Sequence, residues 1–170
     1  MKKYEEAKER TLAKLEEEKE KYLLVDNDDK LSKYSPKYNE ILKKVNEVNG
    51  LSFIYTEYRT LEGIATLEIV LKANGYAPFL LQRNGEDMVQ VFENEDDKDK
   101  PKYAMWGGDE ETSDIIRKVY NNDFEEIPKS LKSQLEKSGK NNLRGDILKV
   151  LLTTKTGAEG IDLHNVRQVH

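Results

Sequence analysis

The chain contains no cysteine and only two histidines, His164 and His170. The absence of cysteine excludes disulfide bonds, cysteine-based metal sites and a cysteine nucleophile. Two histidines without a visible third ligand predict no metal site. No apolar run is long enough to span a bilayer, and the N-terminus is charged rather than signal-like. We therefore expect an intracellular protein without a membrane partner.

A phosphate-binding loop of the form G-x-x-x-x-G-K-[ST] is also missing. The Gly139-Lys140 pair is followed by Asn141, where that loop needs serine or threonine. Asp109 and Glu110 follow a predicted strand, as the acids of a magnesium site do, but two glycines intervene. The sequence therefore predicts no catalytic residue in this chain.

Apolar residues are scarce, because hydrophobic and charged residues each make up 36% of the 170 residues. Such a chain can form one domain with a core only if some segment is mostly solvated. Residues 1–22 fit that description, since they lack glycine and proline and place Glu6 four residues before Arg10. We predict an exposed, charged helical extension or linker over residues 1–31 and one domain over residues 32–170.

Strand and helix patterns alternate through that domain. Ser35-Pro36 is typical of a helix start, and Gly50 is a stop signal before the predicted strand 51–56. A helical pattern over residues 61–73 and further apolar runs then predict strand–helix–strand units. Such units imply a mainly parallel sheet with helices on both faces, the α/β class. Residues 76–92 are predicted to form an inserted hairpin with an irregular edge strand, and residues 93–100 a solvated acidic loop.

The end of the chain carries the most specific pattern. Val150-Leu151-Leu152 is a short continuous apolar run, which is typical of a strand buried on both faces. A turn with Gly157 and Gly160 follows, and Ile161 begins a second apolar run. A buried strand followed by a glycine turn is how an open α/β sheet presents a ligand-facing loop.

This stretch resembles motif V of superfamily 2 helicases and translocases. The matching residues are Thr154, the turn from Gly157 to Gly160, Ile161-Asp162 and Asn165-Val166. Glu159 stands where arginine is usual in DEAD-box proteins. The amino-acid sequence of this stretch is most similar to helicase-type ATPases of large DNA viruses. These ATPases are related to the small subunit of the poxvirus early transcription factor.

The resemblance implies roles for particular residues. One end of the loop would contact the nucleic-acid backbone, through Thr153, Thr154 and Lys155. The other end would face ATP, through Gly157, Glu159, Gly160 and Asp162. The strand 51–56 is similar to motif IV, which implies nucleic-acid contacts from Tyr55, Thr56 and Arg59, although Tyr55 also suits the core. The Gly108-Asp109 turn is the last implied nucleic-acid contact, with a plain turn as the alternative.

Taken together, the resemblance implies the C-terminal RecA-like lobe of an ATP-dependent helicase or translocase. ATP and magnesium would be held mainly by an N-terminal RecA-like lobe of the same parent, and the nucleic acid is expected to be DNA in preference to RNA. The lobe would be incomplete at its C-terminus and inactive alone, in the host cytoplasm or virion of a virus. A nucleotide-independent interaction module with the same fold, such as part of a transcription-factor subunit, is the alternative.

Overall fold

The computed structural model describes residues 2–25, 30–61, 63–154 and 160–170. In chain order its elements are α1 (Lys2–Glu17), α2 (Lys19–Tyr22), α3 (Lys30–Tyr34), α4 (Pro36–Glu47), β1 (Leu51–Thr56), α5 (Ile64–Ala73), β2 (Ala77–Pro78), β3 (Leu80–Asn84), β4 (Asp87–Val91), β5 (Lys102–Trp106), α6 (Glu110–Tyr120), α7 (Lys129–Lys137), β6 (Val150–Thr154) and β7 (Val166–Val169). Short 3₁₀ helices lie at Glu95–Asp99 and Phe124–Glu126.

A parallel sheet organises the domain, with the strand order β2-β5-β6-β1-β7. All five residues of β6 are buried, as its continuous apolar run predicts, because β6 has a strand on each side and helices on both faces. The proline-containing strand β2 lies at the edge, where a missing backbone N–H costs no ladder bond. The predicted α/β class with a mainly parallel sheet is confirmed.

Alternate residues of the strands face two separate cores. Ile54, Tyr103 and Leu152 point into one core, which also receives side chains of α3, α4 and α5. Leu51 and Leu151 point into the other, together with α6 and α7. This period of two is the ordinary geometry of a strand, and it places helices on both faces of the sheet.

The N-terminal segment is helical, as predicted, but it is less solvated than expected. Leu12 and Leu15 of α1 pack against the first core, and Leu23 is buried in it. The Asn74 side chain, at the end of α5, donates to the Leu23 carbonyl oxygen over 2.7 Å and accepts from the Val25 N–H over 2.8 Å. Most of α1 is exposed, as predicted, and only its apolar stripe packs against the core. A domain boundary at residue 31 stays a prediction. Among the described residues, no helix has the length and apolar character needed to cross a membrane.

The predicted hairpin forms from β3 and β4, with Asn84 paired to Asp87 around the turn. Arg83 forms an ion pair with Glu111 of α6. The Asp87 carboxylate accepts hydrogen bonds from the Ser130 N–H and hydroxyl, over 3.1 and 2.6 Å. The hairpin is thus anchored to both helices of the second core.

The acidic segment after the hairpin is mostly exposed, as predicted for a solvated loop, but it forms a short 3₁₀ helix and one of its residues, Asp97, is buried. Its 3₁₀ helix buries Asp97, whose carboxylate accepts from the Asn94 N–H over 3.1 Å and from the Lys100 ammonium over 2.8 Å. Lys102 is also buried, and its ammonium donates to the carbonyl oxygens of Asp97, Lys98 and Lys100. Composition alone did not show that this segment covers a buried lysine.

Candidate functional site

Three neighbouring strands end together at one edge of the sheet. The register pairs Thr56 of β1 with Thr154 of β6, and it pairs Thr153 with Tyr55 on one side and Trp106 on the other. Because all three strands are parallel, their carboxyl ends form one continuous surface, which we call the carboxyl edge. Sequence positions almost a hundred residues apart therefore become neighbours there.

Arg59 and Gly107 bridge this edge. The Arg59 Nη2 atom lies 3.7 Å from the point that a Cβ atom on Gly107 would occupy. Since β6 lies between β1 and β5, the Arg59 side chain passes from the end of β1 to the turn after β5. Gly107 and Gly108 have φ values of 122° and 121°, a region that favours glycine. The turn can therefore approach both the guanidinium and a ligand closely.

Asp109 has a clear structural partner. Its carboxylate accepts from the Thr112 N–H over 2.8 Å and caps α6. Hydrogen bonding to Thr112 lowers the pKa of Asp109, so the carboxylate stays ionised beside the positive end of the helix. A negatively charged side chain at this place repels phosphate, whereas the Gly108 backbone stays exposed. The nucleic-acid role predicted for Gly108 and Asp109 stays a prediction, with the helix cap as the observed role of Asp109.

The two threonines at the end of β6 are buried. The Thr153 hydroxyl donates to the Trp106 carbonyl oxygen over 3.2 Å. Thr154 is only 6% exposed. A nucleic-acid strand bound at this end would therefore contact the backbone or the small exposed part of Thr154. The predicted roles of both threonines stay predictions. Lys155, Gly157 and Glu159 lie outside the described residues.

Exposed side chains surround the end of β1. Tyr55 is 37% exposed, so it is not simply a core residue. The Thr56 hydroxyl accepts from the Tyr58 N–H over 3.4 Å. Tyr58 is 56% exposed beside Arg59, and sequence reasoning did not single it out. A second tyrosine directly before Arg59, three residues after Tyr55, is the signal that could have identified it.

The last part of the motif V-like stretch lies at the amino ends of the strands, opposite the carboxyl edge. Val166, which begins β7, pairs with Leu51 at the start of β1, whereas Thr154 pairs with Thr56 at its end. Five residue steps of a strand span about 17 Å, so the chain returns by roughly that distance between Thr154 and Val166. Asp162 belongs to the part of the chain that makes this return, whereas Thr154 stays at the carboxyl edge.

Asn121 holds in place the segment for which nucleotide contacts were predicted. Its Nδ2 atom donates to the Asp162 carbonyl oxygen over 2.9 Å, and its Oδ1 atom accepts from the His164 N–H over 2.8 Å. The Asp162 side chain itself is 79% exposed, with His164 Nε2 at 3.5 Å. Gly160 has a φ of 77° and open space where a Cβ would lie. An exposed carboxylate and an open glycine backbone can bind the hydroxyls of a ribose, but they offer no positive charge for a phosphate.

The chain is similar to proteins of two giant or large DNA viruses. It is 24% identical over 143 residues to a predicted ATP-dependent RNA helicase of Acanthamoeba polyphaga mimivirus, covering 83% of this chain and 20% of that protein. It is 30% identical over 151 residues to the termination factor NPH-I homolog of an African swine fever virus isolate, covering 80% of this chain and 20% of that protein.

Homologues in other African swine fever virus isolates match equally well, at 30% identity over 151 residues. The chain spans about a fifth of the length of these curated relatives. No family model and no solved structure matches it. The similarity extends over four fifths of the chain, and the fold agrees with the parallel α/β sheet that the motif V resemblance implied. The chain is therefore a homologue of one segment of the helicase-type proteins of large DNA viruses.

Proposed function

We propose that this chain is the C-terminal RecA-like lobe of an ATP-dependent helicase or translocase. The observation that carries the proposal is the carboxyl edge, where the motif IV-like end of β1 and the motif V-like end of β6 are adjacent strands in register. The resemblance assigned nucleic-acid contacts to both stretches separately. Because the ends of β1 and β6 are adjacent, the residues assigned to the two motifs form one surface.

Binding of nucleic acid at this edge would depend on Arg59 and exposed backbone groups. The net charge of −5 gives no bulk attraction to phosphate, so local cations and amides must supply the contacts. Arg59 is exposed and can form a bidentate bond to a phosphate. The tyrosines Tyr55 and Tyr58 add faces on which bases can stack.

Nucleotide binding would be shared with another lobe. Gly160 and Asp162 fit the ribose of ATP, whereas the described residues offer no phosphate loop. ATP would supply the energy of translocation in the parent, and magnesium would lie with the phosphates on the other lobe. We expect this chain alone to release no phosphate from ATP above a buffer blank, with or without nucleic acid.

The test is a binding titration of labelled single-stranded DNA and RNA at several salt concentrations. Arg59→Ala should weaken binding about tenfold, because a hydrogen bond to a charged group contributes roughly 1.5–3 kcal/mol. The plot of log affinity against log salt concentration should also become shallower, by the amount expected for the loss of about one phosphate contact. DNA and RNA arms measured side by side determine which strand the surface prefers.

Arg144→Ala is the matched control, since Arg144 is an exposed arginine on the loop before β6, at the opposite edge of the sheet. Equal losses for Arg59→Ala and Arg144→Ala would mean that binding is diffuse, and the interface would be rejected. Phosphate release by the purified chain would overturn the division of the ATP site between two lobes. The alternative of a nucleotide-independent interaction module gains no support from relatives that are named as a helicase and as termination factors.

A further inference from the structure

A groove with two parts lies between the N-terminal helices and the end of β1. It consists of two adjacent cavities of about 320 and 380 Å³. Tyr34, Ser35, Tyr38 and Thr66 line both cavities, which therefore adjoin. We call the whole feature the tyrosine groove. Its combined volume falls in the range of about 300–1,000 Å³ that is usual for small-molecule sites.

One half of the groove is apolar. Its further walls are Leu15, Tyr22, Leu23, Leu31 and Val70. The rings of Tyr22 and Tyr34 meet edge to face, with centroids 5.4 Å apart and planes at 86°. Tyr34 nevertheless remains 58% exposed, so its ring is available to a flat ligand. This half suits an aromatic or apolar group.

The other half is polar and lies beside the carboxyl edge. Lys37, Tyr55, Thr56 and His170 contribute to its lining. It also contains the start of α4, a helix of twelve residues capped by Ser35, so the positive end of a helix dipole faces this half. A phosphate placed here would lie beside Lys37 and near Thr56.

Charge decides which ligands fit. Among the described residues, neither cavity has an acidic side chain in its lining, and the lysine Lys37 lines the polar half. An anionic group in the polar half would lie beside one ammonium and a helix N-terminus. The groove combines an apolar half with an anion-favouring half.

We propose that the tyrosine groove binds one nucleoside phosphate unit, with the base in the apolar half against Tyr34 and the phosphate beside Lys37. An unpaired nucleotide of a strand and a free mononucleotide share this chemistry. The strand is the favoured source, because the polar half opens beside Thr56 on the carboxyl edge, and this choice of source rests on the proposed function.

The experiment measures the affinity of the 170-residue chain for three probes: a labelled single strand, the same strand with abasic sites, and adenosine monophosphate. Tyr34→Ala should weaken binding of the intact strand about tenfold and leave the abasic strand unaffected, because base–aromatic stacking contributes roughly 1–3 kcal/mol per base. Lys37→Ala should weaken both strands and reduce the salt slope by about one charge.

Tyr4→Ala and Lys43→Ala are the matched controls, since Tyr4 is 62% exposed on α1 and Lys43 lies on α4 outside both cavities. Thermal unfolding of each variant, followed by circular dichroism, verifies that the fold is retained. Equal affinities of the Tyr34→Ala and Tyr4→Ala chains would overturn the proposal, as would equal binding of intact and abasic strands by the wild-type chain.

The outcomes separate the groove from the interface. If Arg59→Ala weakens strand binding but Tyr34→Ala does not, the groove proposal fails and the carboxyl edge stands. If adenosine monophosphate binds in a Tyr34-dependent way and strands do not bind, the groove stands with a free nucleotide as its ligand and the strand interface fails. Binding of none of the probes would reject the groove as a nucleotide site.

Discussion

Asn121 is bonded to Asp162 through its side chain, although the two residues are 41 positions apart. The Asn121 carboxamide binds the carbonyl of one residue and the N–H two residues later, at His164. Asn74 makes the same pair of bonds to Leu23 and Val25. Both asparagines cap the C-terminal end of a helix that follows a sheet strand. The fold thus uses the same device twice, once on each face, to attach a distant segment.

Replacing Asn121 with alanine should loosen the segment that carries Asp162. The loss of both bonds leaves a carbonyl and an N–H without their partner, which costs roughly 1–3 kcal/mol where they are shielded from water. Amide hydrogen exchange at His164 should become about tenfold faster, whereas exchange at Val25 should not change. Asn74→Ala is the matched control and should give the reverse pattern. Equal acceleration at both amides in either variant would indicate general destabilisation instead.

Two buried tyrosines should respond in opposite ways to removal of the hydroxyl. The Tyr120 hydroxyl is fully buried and has no partner among the described residues, whereas the Tyr76 hydroxyl donates to Asn46 Oδ1 over 2.7 Å. Tyr76→Phe should lower the free energy of unfolding by about 1 kcal/mol, and Tyr120→Phe should leave it unchanged or raise it. Urea denaturation of the two variants measures the difference. A larger loss for Tyr120→Phe would show that its hydroxyl is paired in solution.

Because of Lys102, the free energy of unfolding should change with pH in the alkaline range. Burial lowers the pKa of Lys102 from 10.5 to about 8 in the folded state. Between these two values the unfolded chain binds more protons than the folded chain, so the free energy of unfolding should rise with pH there. Denaturation of the wild type and of Lys102→Met at pH 7, 8.5 and 10 measures this difference. The wild type should gain stability relative to the variant as the pH increases, and a constant or falling difference would contradict the lowered pKa.

The N-terminal helix should contribute to stability through its apolar stripe. Leu15 is partly buried against the first core, so Leu15→Ala should lower the free energy of unfolding by about 1–2 kcal/mol, less than the 2–5 kcal/mol of a fully buried leucine. Tyr4→Ala, on the exposed side of the same helix, should have no measurable effect. Identical melting temperatures of both variants would contradict this packing and favour the solvated extension that composition predicts.

Local patterns identified most of the elements before any tertiary contact was considered. Ser35-Pro36 marks the start of α4, where the Ser35 hydroxyl accepts from the Tyr38 N–H over 3.3 Å. The apolar run of β6 and the helical spacing of α5 are likewise visible in the sequence. The reason is that capping, backbone propensity and the periods of helix and strand act over a few residues.

Composition was a weaker guide where charged segments pack. The acidic run over residues 93–100 suggested solvent, yet Asp97 is buried because it pairs with Lys100 and two groups of Asn94. The charged helix α1 likewise packs through Leu12 and Leu15. Average polarity does not show which few side chains of a segment meet a core.

The sequence by itself determined the class of fold, the motif IV- and motif V-like stretches and the absence of a phosphate loop. Only the tertiary structure decided that Arg59 reaches Gly107 across the end of β6, that Asn121 holds Asp162, and that Tyr34 lines two adjoining cavities. These relationships depend on the order of strands in the sheet and on which helix covers which face. That order follows from the complementary packing of surfaces far apart in the chain, which no local pattern of residues encodes.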